Sequence, residues 1–378
     1  MGVSVSFEVG PEIAVASGVQ LLYGSGTIRK DQILPIMADK ESVKRTRRGS
    51  GAITLRDVAK LAGVAAITAS RALNNPSQVS PDVLQKVTEA VARTGYVPNR
   101  MAGGLASARS RLIAAVVPST VVSVFMETVE TLNNALFEAG YQLMLGQTSY
   151  NAEREEQLLE AIIGRRPDGI FLTGILPPGK GRTRLLASGI PVVETWDLTP
   201  TPIDMLIGFS HSEIGQTVAR FLVQKGHTHL ALLRAEDARA ARRAAAFKEV
   251  AAQLGLPPVV DVEVGGQRTL HSGRQAMTQL LLQHPEVTAV FCSSDLLALG
   301  AVTEVRAQDL PIPQRMAVVG FGDVPFVSGM LPALTTVRIN GASIGAQAAR
   351  FLVDRAEGRE VPQPIVDVGF SIVERDSA

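Results

Sequence analysis

The sequence contains a single cysteine, Cys292, which lies in the apolar run AVFCSS. One cysteine excludes an intramolecular disulfide framework, and a chain without disulfides fits the reducing cytoplasm. No apolar run reaches the roughly 18 residues that a membrane-spanning helix needs, and no basic segment followed by an apolar core marks the N-terminus as a secretory signal. These absences predict a cytoplasmic protein without a membrane partner, in which Cys292 is a small buried apolar side chain.

Residues that would carry catalysis or bind a metal are also scarce. Of the five histidines, only His227 and His229 lie close together in the chain, and no cysteine or third histidine is near them, so a zinc site is not expected. Residues 174–181, GILPPGKG, resemble a phosphate-binding loop, but Gly181 replaces the Ser or Thr that would bind magnesium, and the two prolines remove amides that would contact phosphate. We therefore predict that the protein is not an enzyme and carries no cofactor.

The net charge of +1 conceals an uneven distribution along the chain. Residues 37–111 contain thirteen Lys and Arg against five Asp and Glu, a net charge of +8, whereas residues 1–36 carry −1 and residues 112–378 carry −6. Within the basic region, residues 44–48 form a short basic arm. Clustered positive charge is typical of surfaces that neutralise nucleic-acid phosphates. A solvated basic face without a ligand is the alternative interpretation.

Two short helical patterns separated by a glycine turn lie within this basic region. Thr54 and Asp57 are spaced as a capping box, and apolar residues recur at helical spacing up to Gly63, where the first helix is predicted to end. A second helix is predicted over residues 65–73 and a third over residues 81–94. A helix, a tight turn and a second helix form the scaffold that places the second helix in a DNA major groove.

The segment VAKLAGV…TASRALNNPSQVSPDVLQKVTEAVARTGYVPNRMAGGLAS, at residues 58–107, resembles the DNA-binding headpiece and hinge of the LacI (lactose-repressor) family of bacterial transcriptional regulators. The resemblance implies a sequence-specific transcriptional repressor that binds double-stranded operator DNA as a homodimer or a higher oligomer, in the cytoplasm at the nucleoid. It also implies control by a small effector. Because some family members are induced and others co-repressed, the sequence leaves the sign of that control open.

The same resemblance assigns roles to individual DNA-binding residues. Ala66 and Ile67 would contact bases from the first turn of the second helix, although Ala65 replaces the polar cap that the family usually has there. The hinge at residues 99–110 would fold on DNA and insert Leu105 into the minor groove. The full predicted DNA-binding set is Thr54, Ala66, Ile67, Thr68, Ser70, Arg71, Asn74, Asn99, Arg100 and Leu105.

From residue 112 onward, near-continuous apolar strands alternate with helical segments, a pattern typical of parallel sheets covered on both faces. The strand and helix units form two series, so we expect two doubly wound parallel-sheet subdomains, similar to periplasmic binding proteins, with a ligand cleft at the carboxyl ends of the strands. The predicted fold class is thus a small all-α helix-turn-helix headpiece followed by an α/β effector domain.

The predicted domain organisation follows from these patterns. We expect a flexible extension with the basic arm at residues 1–52, although residues 1–36 could also precede a native start at Met37. The predicted ranges are the headpiece at 53–98, the hinge at 99–110 and the effector and dimerisation domain at 111–378, with subdomain 1 at about 111–208 and 338–360 and subdomain 2 at about 209–337 and 361–378.

Candidate effector-binding residues lie where predicted strands end. Arg243 matches a family motif in which a guanidinium can hold a carboxylate or vicinal hydroxyls. The alternative is a surface arginine on a basic helix, since Arg239 and Arg242 lie beside it and compete for that role. Asp295 would bind ligand hydroxyls, cap the following helix, or do both. Trp196 stands beside two carboxylates and could be a polyol platform or a core residue. The full predicted effector set is Ser119, Phe125, Glu194, Trp196, Asp197, Arg243 and Asp295.

Residues 189–233 most resemble the gluconate-utilisation repressors of the family. This resemblance implies that the effector is a sugar acid, such as gluconate, its phosphate or a keto derivative, or a related sugar. A sugar-binding protein without regulatory DNA binding is the alternative, and the headpiece pattern favours the regulator.

Overall fold

The computed structural model describes residues 53–97, 109–119, 124–266 and 268–378. The predicted extension at residues 1–52 and the hinge residues Asn99, Arg100 and Leu105 lie outside these ranges. The chain divides into two compact units, Met1–Val97 and Pro98–Ala378. Within the described ranges, none of the helices combines the length and the apolar character needed to cross a bilayer.

The smaller unit is a helical headpiece, and its helix ends coincide with local sequence signals. Its elements are α1 (Leu55–Ala62), α2 (Ala66–Asn74), a one-turn 3₁₀ helix (Pro76–Gln78) and α3 (Pro81–Thr94). The predicted capping box is present, since the Asp57 amide donates to Oγ1 of Thr54 over 3.4 Å and the Thr54 amide donates to Oδ2 of Asp57 over 2.8 Å. Gly63 and Gly95 end α1 and α3 with φ of +67° and +64°, which glycine adopts without a steric penalty.

Small side chains fill the headpiece core. The fully buried members are Val58, Ala59, Ala62, Ala69, Ala72, Val87 and Ala90. Leu55, Leu73 and Val83 pack around them and remain half-buried. A core of alanine and valine lets the three helices approach closely, but it buries little area, so the headpiece is expected to be marginally stable by itself.

The larger unit contains two six-stranded sheets among its described residues, and the first sheet is parallel throughout. Numbered in chain order, its strands are β1 (Leu112–Val117), β2 (Gln142–Gln147), β3 (Gly169–Thr173), β4 (Val192–Thr195), β5 (Met205–Gly208) and β11 (Ile365–Asp367). They lie in the order β11-β5-β4-β3-β1-β2. Its helices are α4 (Met126–Glu138), α5 (Ala152–Gly164), α6 (Lys180–Ser188) and α11 (Gly341–Ala356). Helices α4 and α11 cover one face, and α5 and α6 cover the other.

The second sheet repeats this winding. Its strands are β6 (Leu230–Ala235), β7 (Val260–Val264), β8 (Ala289–Cys292), β9 (Ala317–Gly322), β10 (Thr335–Arg338) and β12 (Ser371–Val373). They lie in the order β12-β10-β9-β8-β6-β7, and β12 alone is antiparallel to its neighbour. Its helices are α7 (His211–Gln224), α8 (Ala238–Gln253), α9 (Leu270–Gln283) and α10 (Asp295–Ala307), with a 3₁₀ helix at Pro325–Gly329. The predicted fold class is therefore confirmed, and Cys292 is fully buried as predicted.

One predicted boundary is wrong. All of residues 361–378 were assigned to subdomain 2, but Ile365 pairs with Leu206 in a parallel register, which makes β11 an edge strand of the first sheet. The chain then returns to the second sheet as β12. By strand pairing, the last crossing therefore lies between Asp367 and Ser371. Two three-residue strands carry too little periodicity to reveal their partners, so tertiary contact decides the assignment.

Candidate functional site

In the headpiece, the predicted DNA-binding residues of α2 differ in their exposure to solvent. Ala66, Ile67, Arg71 and Asn74 are exposed, whereas Thr68 and Ser70 are half-buried. The side chain of Ile67 is 63% exposed, which leaves a large apolar group in water in the first helical turn. An apolar side chain in that position can contact a thymine methyl group in a major groove.

The N-terminus of α2 lacks a side-chain cap. Ala65 is the N-cap residue in an extended conformation and cannot accept a hydrogen bond from the first amides through its side chain. Uncapped amides at a helix N-terminus are available to an anion such as phosphate. Elsewhere on the headpiece surface, Nδ2 of Asn74 donates to the Ser70 carbonyl oxygen over 3.0 Å, and Oγ1 of Thr54 donates to Asp57 over 2.6 Å.

In the larger unit, a cavity of about 640 Å³ lies between the two subdomains at the carboxyl ends of their strands. Its walls follow β1, β2 and β4 on one side and β6, β7, β8 and β9 on the other. Open α/β sheets bind ligands at this edge. The predicted residues that line the cavity are Ser119, Phe125, Trp196, Arg243 and Asp295.

Arg243 is a buried cation on the cavity wall, with only 4% of its surface exposed. Its guanidinium carbon lies 4.1 Å from the centroid of the Phe321 ring, and Nη2 donates to the Ser293 carbonyl oxygen over 3.2 Å. Among the described residues, Nε has no hydrogen-bond partner and no carboxylate forms an ion pair with the group. Because a buried charge is normally paired, this arrangement favours an anionic ligand.

His211 holds Arg243 from the protein side. Nη1 of Arg243 donates to Nδ1 of His211 over 2.9 Å, so Nδ1 must be unprotonated, and Nε2 then donates to the Trp196 carbonyl oxygen over 3.1 Å. Burial and the neighbouring positive charge of Arg243 lower the pKa of His211 to about 2. Burial, opposed by Asp237, lowers the pKa of Arg243 to about 9. At neutral pH, His211 is therefore neutral and Arg243 is charged.

Aromatic rings form the apolar wall of the cavity. Trp196 contacts Phe125 edge to face with ring centroids 4.8 Å apart, and it contacts Phe209 in the same way at 5.6 Å. Trp196 is 2% exposed, and its Nε1 has no hydrogen-bond partner among the described residues. The two interpretations of this tryptophan thus coincide, since it belongs to the core and also lines the cavity.

Asp295 lines the cavity but already has protein partners. Oγ1 of Thr336 donates to its Oδ1 over 2.6 Å, and the Val324 amide donates to its Oδ2 over 2.9 Å. Burial raises the pKa of this carboxyl group to about 6 despite these hydrogen bonds. The alternative that Asp295 caps the following helix is wrong, because Ser294 is the N-cap of α10 and Asp295 is its first residue.

The structure corrects the placement of Glu194 and Asp197, neither of which lines the cavity. Glu194 accepts hydrogen bonds from the amides of Leu176 and Ile203, over 2.9 and 2.7 Å, and it also pairs with Arg182. Asp197 pairs with Arg242 and accepts from the Leu198 amide over 2.8 Å. Both carboxylates fix loops at the end of β4.

Backbone geometry explains why the side chains of Trp196 and Glu194 lie on different faces of the sheet. Strict alternation along β4 would put residues 194 and 196 on the same face. Trp196 has a φ of +64°, so the chain turns before it and its ring joins the face that Val193 occupies. This left-handed residue is not apparent from the sequence, because tryptophan rarely adopts a positive φ.

Sequence reasoning missed several cavity residues. His211 lies three residues after the end of β5, a position that could have indicated the site. Arg268 and Tyr150 come from loops without a recognisable signal, and they meet across the cavity, where Nη1 of Arg268 donates to the Tyr150 hydroxyl over 2.8 Å. Arg268 also pairs with Asp237, the N-cap of α8.

Comparison with known proteins places this architecture in a family. Residues 54–99 match the bacterial regulatory proteins of the lacI family, and residues 219–378 match a periplasmic binding protein-like domain. The HTH-type transcriptional regulator GntR of Pseudomonas aeruginosa is 34% identical over 335 residues, which cover 88% of this chain and 98% of that protein. The HTH-type transcriptional regulator GntR of Escherichia coli K12 is 32% identical over 319 residues, which cover 84% and 96%.

The chain belongs to the LacI family.

Solved structures of LacI-family proteins agree with this assignment. A LacI-family transcriptional regulator from Silicibacter pomeroyi superposes with a TM-score of 0.80 at 31% identity, covering 86% of this chain and 99% of that one. The lac repressor dimer bound to operator and the anti-inducer ONPF gives a TM-score of 0.73 at 26% identity, covering 86% and 99%. The resemblance seen in the sequence is thus confirmed, and the protein is a DNA-binding transcriptional repressor of the LacI family.

Proposed function

We propose that this LacI-family repressor controls sugar-acid catabolism, and that a sugar acid such as gluconate binds in the cleft and controls operator binding. The observation that carries the proposal is Arg243, a buried guanidinium on the cavity wall without a carboxylate partner among the described residues. A ligand carboxylate would supply the missing negative charge. Relatives that carry the name GntR support the same branch of the family.

The surroundings of Arg243 suit a polyhydroxylated acid. Helices α8 and α10 both begin at the cavity, and the positive end of a helix dipole favours an anion. The carboxyl group of Asp295, which lines the cavity, is a candidate partner for ligand hydroxyls. A cavity of about 640 Å³ falls within the usual range for small-molecule sites.

For the operator, we propose that the exposed face of α2 enters the major groove. Ala66 and Ile67 would contact bases, and Arg71 would reach base edges or phosphates. The remaining proposed contacts are Thr54, Thr68, Ser70, Asn74, Asn99, Arg100 and Leu105. A two-fold dimer would place two such helices in successive major grooves and both Leu105 side chains at the operator centre.

A thermal-shift comparison of gluconate with the neutral polyol glucitol tests the effector proposal. A ligand present at a hundredfold its dissociation constant stabilises the folded state by about 2.7 kcal/mol, so gluconate should raise the melting temperature and glucitol should not. Arg243→Met should abolish the gluconate shift, because it removes the proposed carboxylate partner. Arg220→Met is the matched control, since Arg220 lies exposed on α7, away from the cavity.

Two results would contradict the proposal. Equal shifts with gluconate and glucitol would show that the carboxylate is not recognised, and a gluconate shift that survives in Arg243→Met would remove Arg243 as the anchor. A gel shift with a palindromic operator tests the DNA part separately. Specific sites normally bind with a dissociation constant of about 10⁻⁸ M or below, so no specific complex at about 0.15 M salt would favour a sugar-binding protein without regulatory DNA binding.

A further inference from the structure

The arginines around the cavity differ in whether a carboxylate neutralises them. Arg268 pairs with Asp237 over 2.5 Å, and Arg242, which does not line the cavity, pairs with Asp197. Arg243 and Arg239 both line the cavity, and neither forms an ion pair with any residue that the structure describes. The cavity wall therefore carries two guanidinium groups without a direct ion-pair partner among the described residues.

The two guanidinium groups contact residues of different subdomains. Arg239 and Arg243 are one turn apart on α8, a spacing that puts both side chains on the same helical face. Arg243 packs on Phe321 and Ser293, which belong to the second subdomain. Arg239 extends toward the first subdomain, where its guanidinium carbon lies 5.5 Å from the centroid of the Phe125 ring.

The surroundings of Arg239 leave its charge available to a ligand. A Cβ built on Gly174, in the loop after β3, would lie 3.7 Å from Nη1 of Arg239, so the guanidinium reaches the first subdomain. Glu155 is close enough for the charge of Arg239 to oppose the rise that burial causes in the pKa of that carboxyl group. The two nevertheless form no ion pair within the described part of the chain. Phe125 offers its ring face, which orients a guanidinium without neutralising it.

We infer that the effector carries two anionic groups, one at each end of a polyol chain, and that Arg239 determines this specificity by binding the second group. The inference rests on the proposed function, in which Arg243 binds the first carboxylate. An aldaric acid and a phosphorylated aldonic acid share the required chemistry, because both have a polyol chain that is anionic at both ends. A guanidinium can hold either terminal group with two hydrogen bonds.

Titration calorimetry with the full-length protein at constant ionic strength tests this inference. Gluconate, glucarate and 6-phosphogluconate would be compared in the wild type, Arg239→Met, Arg239→Lys and the exposed control Arg220→Met. At least one of glucarate and 6-phosphogluconate should bind about tenfold or more tightly than gluconate, the factor that one charge-assisted hydrogen bond supplies. Which of the two gains affinity identifies the second group as a carboxylate or a phosphate.

The variants assign that gain to a residue. In Arg239→Met the ratio of the preferred acid's affinity to gluconate affinity should fall to about twofold or less. Arg239→Lys should keep part of the preference, because it keeps the charge but loses the planar fork. Arg220→Met should behave like the wild type. Melting temperatures without ligand show whether each variant is folded.

Several outcomes would overturn the inference. Equal affinity for gluconate, glucarate and 6-phosphogluconate would show that no second anionic group is recognised. A preference that persists in Arg239→Met would show that Arg239 does not determine it. In both cases gluconate still binds, so the proposed function stands. Failure of all three acids to bind would instead reject the proposed function, and this inference with it.

Discussion

At the scale of single residues, the charge states in the cleft depend on contacts rather than on residue type. His211 is neutral because burial disfavours its charged form and because Arg243 donates to its Nδ1. Burial also disfavours the charged form of Asp295, and because this group is an acid its pKa rises, to about 6. Arg243 remains charged at neutral pH, so the cleft keeps a cation between a neutral imidazole and the ligand space.

The depressed pKa of His211 predicts a specific acid sensitivity. The folded-state pKa is about 2 and the ordinary value is 6.5, so the unfolded chain binds more protons as the pH falls below 6.5. The stability that neutral His211 contributes is therefore complete above pH 6.5 and is lost progressively below it, by at most about 1.4 kcal/mol per pH unit. Urea unfolding of the wild type and of His211→Asn between pH 7.5 and 5 would measure this difference.

The comparison with His211→Asn separates the effect of His211 protonation from that of the other titratable groups. Asp295 acts in the opposite sense, because its raised pKa reduces stability as the pH increases from 3.8 toward 6, but it is present in both proteins. The difference in unfolding free energy between the wild type and His211→Asn should thus shrink as the pH falls. A difference that stays constant across this range would contradict the assignment of a neutral, buried His211.

At the scale of elements, α8 positions both arginines, and its packing on α7 sets their place. Gly215 lies where the two helices approach most closely, because a Cβ at this position would be 2.1 Å from the carbonyl oxygen of Arg243. No real Cβ tolerates that distance from a backbone atom, so the glycine is required by the approach of α8. The cleft side of α8 therefore depends on a residue that lies outside the cavity lining.

We predict that Gly215→Ala displaces α8 and weakens both folding and effector binding. Overpacking of this kind typically costs about 1–3 kcal/mol, and the shift of Arg243 should reduce effector affinity. The matched control is Gly164→Ala at the end of α5, where an added Cβ meets nothing within 4 Å. Because alanine loses less conformational entropy than glycine when a helix forms, Gly164→Ala should keep the stability of the wild type or exceed it by about 0.5–1 kcal/mol.

Urea unfolding and calorimetry on the two alanine variants would decide the point. If Gly215→Ala kept the stability and effector affinity of the wild type, α7 and α8 could separate without an energetic cost, and the prediction would be contradicted. Loss of affinity in both variants would indicate a general effect of helical glycine replacement rather than one of α8 placement.

At the scale of the whole molecule, two subdomains share the cavity and a direct bridge. Arg268 of the second subdomain donates to the Tyr150 hydroxyl of the first over 2.8 Å, and its guanidinium carbon lies 4.1 Å from the centroid of the Tyr150 ring. A ligand that contacts both walls changes the free energy of their relative placement. In a LacI-family repressor, this is the equilibrium through which we propose that the effector acts on operator binding.

Thermodynamic linkage gives this mechanism a quantitative form. If the effector changes the operator dissociation constant by some factor, the operator must change the effector dissociation constant by the same factor, typically between about 5 and 150. Fluorescence anisotropy with labelled operator and calorimetry with effector, both at one salt concentration, would measure the two factors. An inducer weakens operator binding and a co-repressor strengthens it. Equal effector affinity with and without operator would show that the cleft does not control DNA binding.

Sequence alone determined the features that depend on neighbouring residues. The capping box of Thr54 and Asp57 and the left-handed glycines Gly63 and Gly95 act within one helical turn, so α1 and α3 could be predicted with their ends, whereas α2 is shifted by one residue from its predicted range. Alternation of apolar strands and helices likewise predicted two doubly wound sheets, because burial on both faces imposes that pattern. The cleft at the strand ends followed from the same topology.

Only the tertiary structure decided which charged groups face the cleft. Glu194 and Asp197 were predicted as ligand contacts, but distant partners occupy them, and the left-handed backbone at Trp196 separates its ring from the carboxylate two residues earlier. Arg239 becomes a candidate contact because it lines the cavity without an ion-pair partner among the described residues, whereas Arg268 pairs with Asp237. Whether an ionisable side chain is available to a ligand depends on whether another residue of the protein neutralises it. Such partners lie far away along the chain, so local sequence patterns do not reveal them.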